Sequence, residues 1–122
     1  MFSLSERHQY YLYAPATDMR KGFDGLSGLV RNEMGSNPLS GDVYIFINRG
    51  RNRMKLLVWE SGGFVLYYKR LERGRFELPQ VSTTDQQAKI SWQKLMLIVK
   101  GIDLQSVKKR KRFNRSKAAK SA

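Results

Sequence analysis

The stretch from Val43 to Glu72 restricts the fold most. Three β-prone runs, Val43 to Asn48, Met54 to Glu60 and Phe64 to Glu72, are separated by turn-forming residues. The first break is Asn48-Arg49-Gly50-Arg51-Asn52, and the second is Gly62-Gly63, where both positions tolerate positive φ. A further turn is expected at Arg73-Gly74-Arg75. Short connections of this kind join antiparallel neighbours, so the section reads as a meander. With Gly62 and Gly63 as the central turn residues, Lys55 lies opposite Arg70, Leu57 opposite Tyr68 and Trp59 opposite Leu66. A three-residue loop instead pairs Lys55 with Lys69.

Around this meander the remaining elements are fewer. Gln9 to Tyr13 is β-prone and ends before Pro15, which predicts a first strand. Met19, Phe23, Leu26, Val30 and Met34 recur at helical spacing and form one apolar stripe. A helix is therefore expected from an N-cap at Asp18 to about Met34, with Gly35 as its left-handed stop. Residues 37–41 read as a turn, and residues 80–89 are polar and ambiguous. Ser91 is placed to cap a short helix over Trp92–Lys100 that ends at Gly101, burying Trp92, Leu95, Met96 and Val99. The expected fold is α+β: an antiparallel sheet of about four or five strands, one main helix packed across it and a short C-terminal helix. Residues 1–104 would form one compact domain, within reach of the 122-residue length. Residues 105–122 offer almost nothing to bury and are expected to be a disordered basic tail.

Charge narrows the function. Lys and Arg total 23 against 10 Asp and Glu, a net charge of +13. Eight of these cations lie in residues 105–122, which contain no acid; the body keeps 15 bases against 10 acids and is basic by itself. A polyanionic partner follows, with DNA or RNA first among the candidates. The body's cations gather at Arg49, Arg51, Arg53 and Lys55, and again at Lys69, Arg70, Arg73 and Arg75. In either register they collect at the hairpin end far from Gly62 and Gly63. Like charges facing one another across strands are destabilising, and phosphates between them would relieve that cost. A mixed-charge solvated surface, with Glu60 and Glu72 offsetting some of the cations, is the plainer alternative. Arg20 and Lys21 fall in the expected first helical turn. There they either receive a phosphate or merely carry a small dipole penalty. Lys108, Lys109, Arg110, Lys111 and Arg112 supply a geometry-free polycation whose binding should weaken steeply with salt. The rings of Tyr44, Phe46, Trp59, Phe64, Tyr67 and Tyr68 are interleaved with these cations. Core packing is their commoner use, and stacking on unpaired bases is the other.

Catalysis finds little support. His8 is the sole histidine and cysteine is absent, so no cysteine-bound zinc or thiolate chemistry is available. No phosphate-cradling glycine loop or serine nucleophile elbow occurs. The acids are scattered; convergence of Asp18, Asp24 and Asp42 on metal ions would be needed for nuclease chemistry, and capping and turn formation account for Asp18 and Asp42 without it. No metal and no cofactor is expected. No run of about 18 apolar residues suits a membrane span, the tail has only Phe113 as a large apolar anchor, and a reducing cytoplasm is the expected location.

Two segments carry more than composition. PATDMRKGFDGL (15–26) and GDVYIFINRGRNRMKLLVWESGGFVLYYKRLERGRFELP (41–79) resemble the TnpB-type accessory proteins of the IS sixty-six family of bacterial insertion sequences, and LMLIVKGID (95–103) is similar to that family's closing segment. Asp18, Met19, Arg20, Lys21, Gly22 and Phe23 match the family's helix-entry motif. Asn48, Arg49, Arg53, Lys55, Lys69, Arg70, Leu71, Gly74 and Phe76 match its strand-and-turn motif. Ala14 before Pro15 and Gly62 before Gly63 depart from it without touching a basic position. The resemblance implies a protein, encoded beside a separate transposase, that supports transposition, and it carries no catalytic residue across. DNA of the element ends and the transposase are the expected partners. A docking adaptor for the transposase with incidental DNA contact remains the alternative.

Overall fold

The computed structural model describes residues 4–81 and 86–100. Its elements in chain order are β1 (Tyr10–Tyr13), α1 (Phe23–Asn32), β2 (Val43–Ile47), β3 (Arg53–Glu60), β4 (Gly63–Arg70), β5 (Gln87–Ile90) and α2 (Trp92–Val99). The strands form one five-stranded sheet in the order β4-β3-β2-β1-β5. The three meander strands and β1 are found where the sequence places them, but the sheet is mixed. β1 and β2 run parallel, Tyr10 facing Val43 and Leu12 facing Ile45, while the other pairs are antiparallel. The reason is α1: a helix between two adjacent strands returns the chain to the starting edge, and the second strand then runs parallel to the first.

Strand alternation gives each face its own core. Tyr10, Leu12, Val43, Ile45, Ile47, Met54, Leu56 and Val58 pack with Phe76 and with Leu95 and Ile98 of α2. Tyr13, Tyr44, Phe46 and Leu57 pack with Leu26, Val30 and Met34 from the α1 side. Every residue of β2 is therefore buried. This is what a sheet covered on both sides requires, and it removes the in–out alternation that a one-sided sheet would show.

Three local expectations need correction. Asp18 is not the N-cap of α1. Its carboxylate accepts the Arg20 N–H at 2.9 Å and its carbonyl accepts the Lys21 N–H at 3.2 Å, closing a turn that precedes the helix. The helix starts at Phe23 behind Gly22, which has no side chain to cap it. Arg20 and Lys21 consequently lie in the approach loop and not in the first helical turn, and Phe23 of the expected stripe is 47% exposed, stacked on Phe64. At the other end Gly35 adopts φ 61 and Ser36 N–H reaches the Val30 carbonyl at 2.9 Å, the expected left-handed stop.

The hairpin register is the second. Ser61 (φ 52) and Gly62 (φ 81) are the central turn residues, so Lys55 faces Tyr68, Leu57 faces Leu66 and Arg53 faces Arg70. A left-handed serine costs roughly 1–2 kcal/mol. In exchange an aromatic ring, not a second cation, lies opposite Lys55, with Nζ 4.8 Å from the Tyr68 ring centroid. Third, part of the ambiguous polar segment is a strand: β5 pairs antiparallel with β1, and only Ile90 of its four residues is buried. In α2, Ser91 Oγ accepts the Lys94 N–H at 3.1 Å as expected. Leu95 and Ile98 are its fully covered residues, whereas Trp92, Met96 and Val99 are partly covered. Gly101 and the tail, including Lys108 to Arg112, lie outside the described residues.

Candidate nucleic-acid interface

The parallel pair fixes where a ligand can approach. In open sheets with crossover helices, sites form in the crevice beyond the carboxyl ends of parallel strands. Here the chain leaves β1 into the loop 14–22 and leaves β2 into the turn 48–52. The two are tied together by the Thr17 N–H, which donates to the Ile47 carbonyl at 2.9 Å. Between them opens a cleft of about 420 Å³ lined by Thr17, Asp18, Met19, Arg20, Asn48, Arg49, Gly50 and Arg53. A neighbouring depression is lined by Arg53, Tyr68, Arg70 and Glu72. Arg53 belongs to both, so the two make one basic groove on the α1 side of the sheet.

Each wall of the groove is held by specific bonds. Asn48 uses its whole carboxamide: Oδ1 accepts the N–H groups of Asn52 and Arg53, each at 3.0 Å, and Nδ2 donates to Asn52 Oδ1 at 2.7 Å. Arg51 takes the left-handed φ of 58 within this turn. Its carbonyl accepts the Phe76 N–H at 2.6 Å, fastening the segment after β4 to the same turn. From below, Lys55 Nζ donates to the carbonyls of Met19 and Lys21, each at 2.7 Å. Lys55 is 6% exposed. It is thus a strut that shapes the loop 19–21, and its burial removes it from direct contact with any ligand.

Electrostatically the groove is basic but partly offset. Arg20 grips Asp18 through Nε and Nη2, the shortest contact 2.7 Å, and the Arg20 side chain is 91% exposed. The side-chain hydrogen bonds from Arg20, then its backbone N–H, hold the Asp18 carboxyl down at about 2. Arg70 Nε meets Glu72 at 2.9 Å, and Arg53 Nη1 donates to the Tyr68 hydroxyl at 3.0 Å. Arg49 is exposed and forms no ion pair among the described residues. Counting Lys55 beneath it, the groove gathers five cations against Asp18 and Glu72.

Not all of the expected cations meet here. Lys69 points to the opposite face, where its Nζ donates to the Val99 carbonyl at 2.8 Å and closes the end of α2. Arg51 lines a separate depression with Glu77 and Leu78. Lys21, Arg73 and Arg75 are exposed and line neither depression. One residue escaped sequence reasoning: Thr17, which lines the cleft, is 4% exposed, and its Oγ1 has no hydrogen-bond partner among the described residues. A buried hydroxyl without a partner costs free energy. No periodicity or motif marks a single threonine in a loop. Among the described residues no three of His, Cys, Asp and Glu gather as a metal site, and no helix is long and apolar enough to cross a membrane.

Comparison with known proteins agrees with the motifs. The family model described as IS66 Orf2 like protein matches residues 8–109. The uncharacterized protein y4jC of Sinorhizobium fredii (strain NBRC 101917 / NGR234) is 32% identical over 93 residues, covering 76% of this chain and 78% of the relative. The uncharacterized protein y4hO of the same strain is 39% identical over 88 residues, covering 71% and 74%. No solved structure matches. The family match embraces every described element and both loops of the groove. The chain belongs to the IS66 Orf2-like family, the TnpB-type accessory proteins of these bacterial insertion sequences.

Proposed function

We propose that this accessory protein binds the phosphate backbone of its element's DNA through the groove, and so helps position the transposase. The observation that carries the reading is the convergence of Arg20, Arg49, Arg53 and Arg70 on one side of the sheet. Guanidinium groups bind phosphate in a bidentate manner. Lys21, Arg73 and Arg75 would add exposed positive charge, and Lys108–Arg112 would add further charge that raises affinity. Contacts of this kind position a protein on DNA and carry little base information. The chain would act without chemistry of its own.

Filter binding across a salt series tests this. Removing one cation that neutralises a phosphate should lower the slope of log K against log salt by about 0.9 on duplex DNA. The double variant R49A/R53A should reduce the slope by nearly twice that amount; an unchanged slope would remove the groove from the interface. The adaptor reading has one observation in its favour: Arg20 and Arg70 already hold carboxylates, those of Asp18 and Glu72. An acidic transposase segment would meet the same groups. Capture of purified transposase that persists after nuclease treatment, with weak DNA affinity, would select that reading.

A further inference from the structure

β4 ends the sheet, and among the described residues nothing pairs with its outer edge. The Leu71 N–H donates to the Asn52 carbonyl at 2.8 Å, which fixes the phase of the ladder. Odd-numbered residues of β4 bond inward to β3, and the N–H and C=O groups of Phe64, Leu66, Tyr68 and Arg70 face outward. The strand is eight residues long and runs in unbroken register from Gly63 to Arg70. It has no proline and no bulge, and its only charges are Lys69 and Arg70 at one end. Edges that must remain single usually carry charge, proline or a bulge along their length. This one has apolar side chains on both faces: Val65 and Tyr67 on the α2 side, Phe64 and Leu66 on the α1 side.

We infer that the outer edge of β4 pairs antiparallel with β4 of a second copy of this chain, joining two sheets into one of ten strands. One register is self-complementary. With Val65 on the twofold axis, Phe64 lies opposite Leu66 of the partner, and Tyr67 lies opposite Gly63, whose missing side chain leaves room for the ring. Lys69 and Arg70 reach past Gly63, the first residue of the partner's β4, and lie beyond the end of the pairing. The two basic ends are thereby carried apart. Arg70 of one copy stands about 33 Å along the strands from its mate, ten residues at ~3.3 Å each. That is several Debye lengths at physiological salt, so the like charges of the two copies do not oppose the pairing. The twofold axis is perpendicular to the sheet, so both basic grooves face the same side. The two Arg70 residues are thus separated along the strands by close to one turn of duplex DNA, ~34 Å. The match in spacing has meaning only under the proposed DNA reading; the pairing stands without it.

The chain contains no cysteine, so single cysteines report cleanly. Val65 and its mate form a non-hydrogen-bonded pair, with Cα atoms about 4.5 Å apart, a separation a disulfide spans. Sedimentation equilibrium of the full chain should give twice 14.2 kDa. Val65→Cys should form a covalent dimer under mild oxidation much faster than Ser36→Cys, which lies off the edge. Leu66→Pro removes an outward N–H without breaking the β3 ladder, and should yield a folded monomer by circular dichroism and sedimentation. A wild-type monomer with no preferential Val65→Cys linkage overturns the inference; the chain's own residues 101–122 covering the edge would give that result. A confirmed dimer in which Leu66→Pro binds duplex DNA as tightly as wild type would refute the paired-groove spacing. A dimer with no DNA affinity at all would refute the DNA reading and leave the pairing standing.

Discussion

Lys55 and Lys69 sit on adjacent strands, and each ammonium ends on main-chain carbonyls. Lys55 points to the α1 side, is buried, and holds the Met19 and Lys21 carbonyls together. Lys69 points to the α2 side, is exposed, and holds the Val99 carbonyl. Neither is a free surface charge, although both belong to a cluster that reads as one patch along the chain. Strand parity separates them: residue 55 shares a face with Arg53, and residue 69 shares a face with Tyr67. Cations clustered along the chain share a face only after the pleat has sorted them.

The buried lysine of the two should dominate stability. Lys55→Met should destabilise the fold by about 3 kcal/mol, because two carbonyls lose a charged donor in a covered place. Urea denaturation would show it as a lowered midpoint. Lys69→Met, at an exposed single bond, should cost no more than about 1 kcal/mol; equal losses would mean that burial does not distinguish the two lysines.

Alkaline titration compares the two faces next. Burial raises the ionisation of Tyr10 to about 12, and raises Tyr13, Tyr44 and Tyr67 above their usual value, with burial the leading cause in each case. A folded-state value above the unfolded one contributes stability that is fully present below about pH 10 and lost as pH rises through the folded values. Unfolding followed by tyrosinate absorbance should therefore begin above about pH 10, with Tyr10 on the α2 face among the last to ionise before the fold gives way. Full tyrosine ionisation near pH 10 with the fold intact would contradict this.

Binding should separate the faces as well. Arg53→Ala should weaken duplex DNA binding by about fivefold to tenfold at moderate salt and reduce the salt slope by about 0.9. Lys69→Ala should leave both nearly unchanged. The smallest expected effect has the opposite sign. Asp18→Asn releases Arg20 from its carboxylate and removes a negative charge from the cleft, so affinity should rise by on the order of twofold. A loss of affinity would show that Asp18 shapes the loop more than it restrains Arg20.

Much of the fold is legible in the chain. The three central strands, the left-handed stop at Gly35 and the Ser91 cap follow from turn chemistry and propensity, which act locally. The parallel β1–β2 pair is not, because the antiparallel meander of residues 43–70 suggests a pattern that the β1–β2 pair breaks. β5 escapes notice because an edge strand with one buried residue lacks an apolar period. The helix start is misplaced because Asp18 satisfies the same preference at a turn as at an N-cap, and Gly22 decides between them. In the groove, Arg20, Arg49, Arg53 and Arg70 are visible as charge. The withdrawal of Lys55 into the interior is hidden, since a lysine that fills a core position is indistinguishable in sequence from one that faces water.

The parallel pair also sets an order of events during folding. The β3–β4 hairpin closes through neighbours in sequence and can form early, whereas Tyr10 must find both Val43 and Ile90 before β1 is in place. Because one wall of the groove hangs from β1, a nascent chain has its hairpin cations long before it has a cleft. The cleft is therefore complete only once the first strand made lies between two strands made after it.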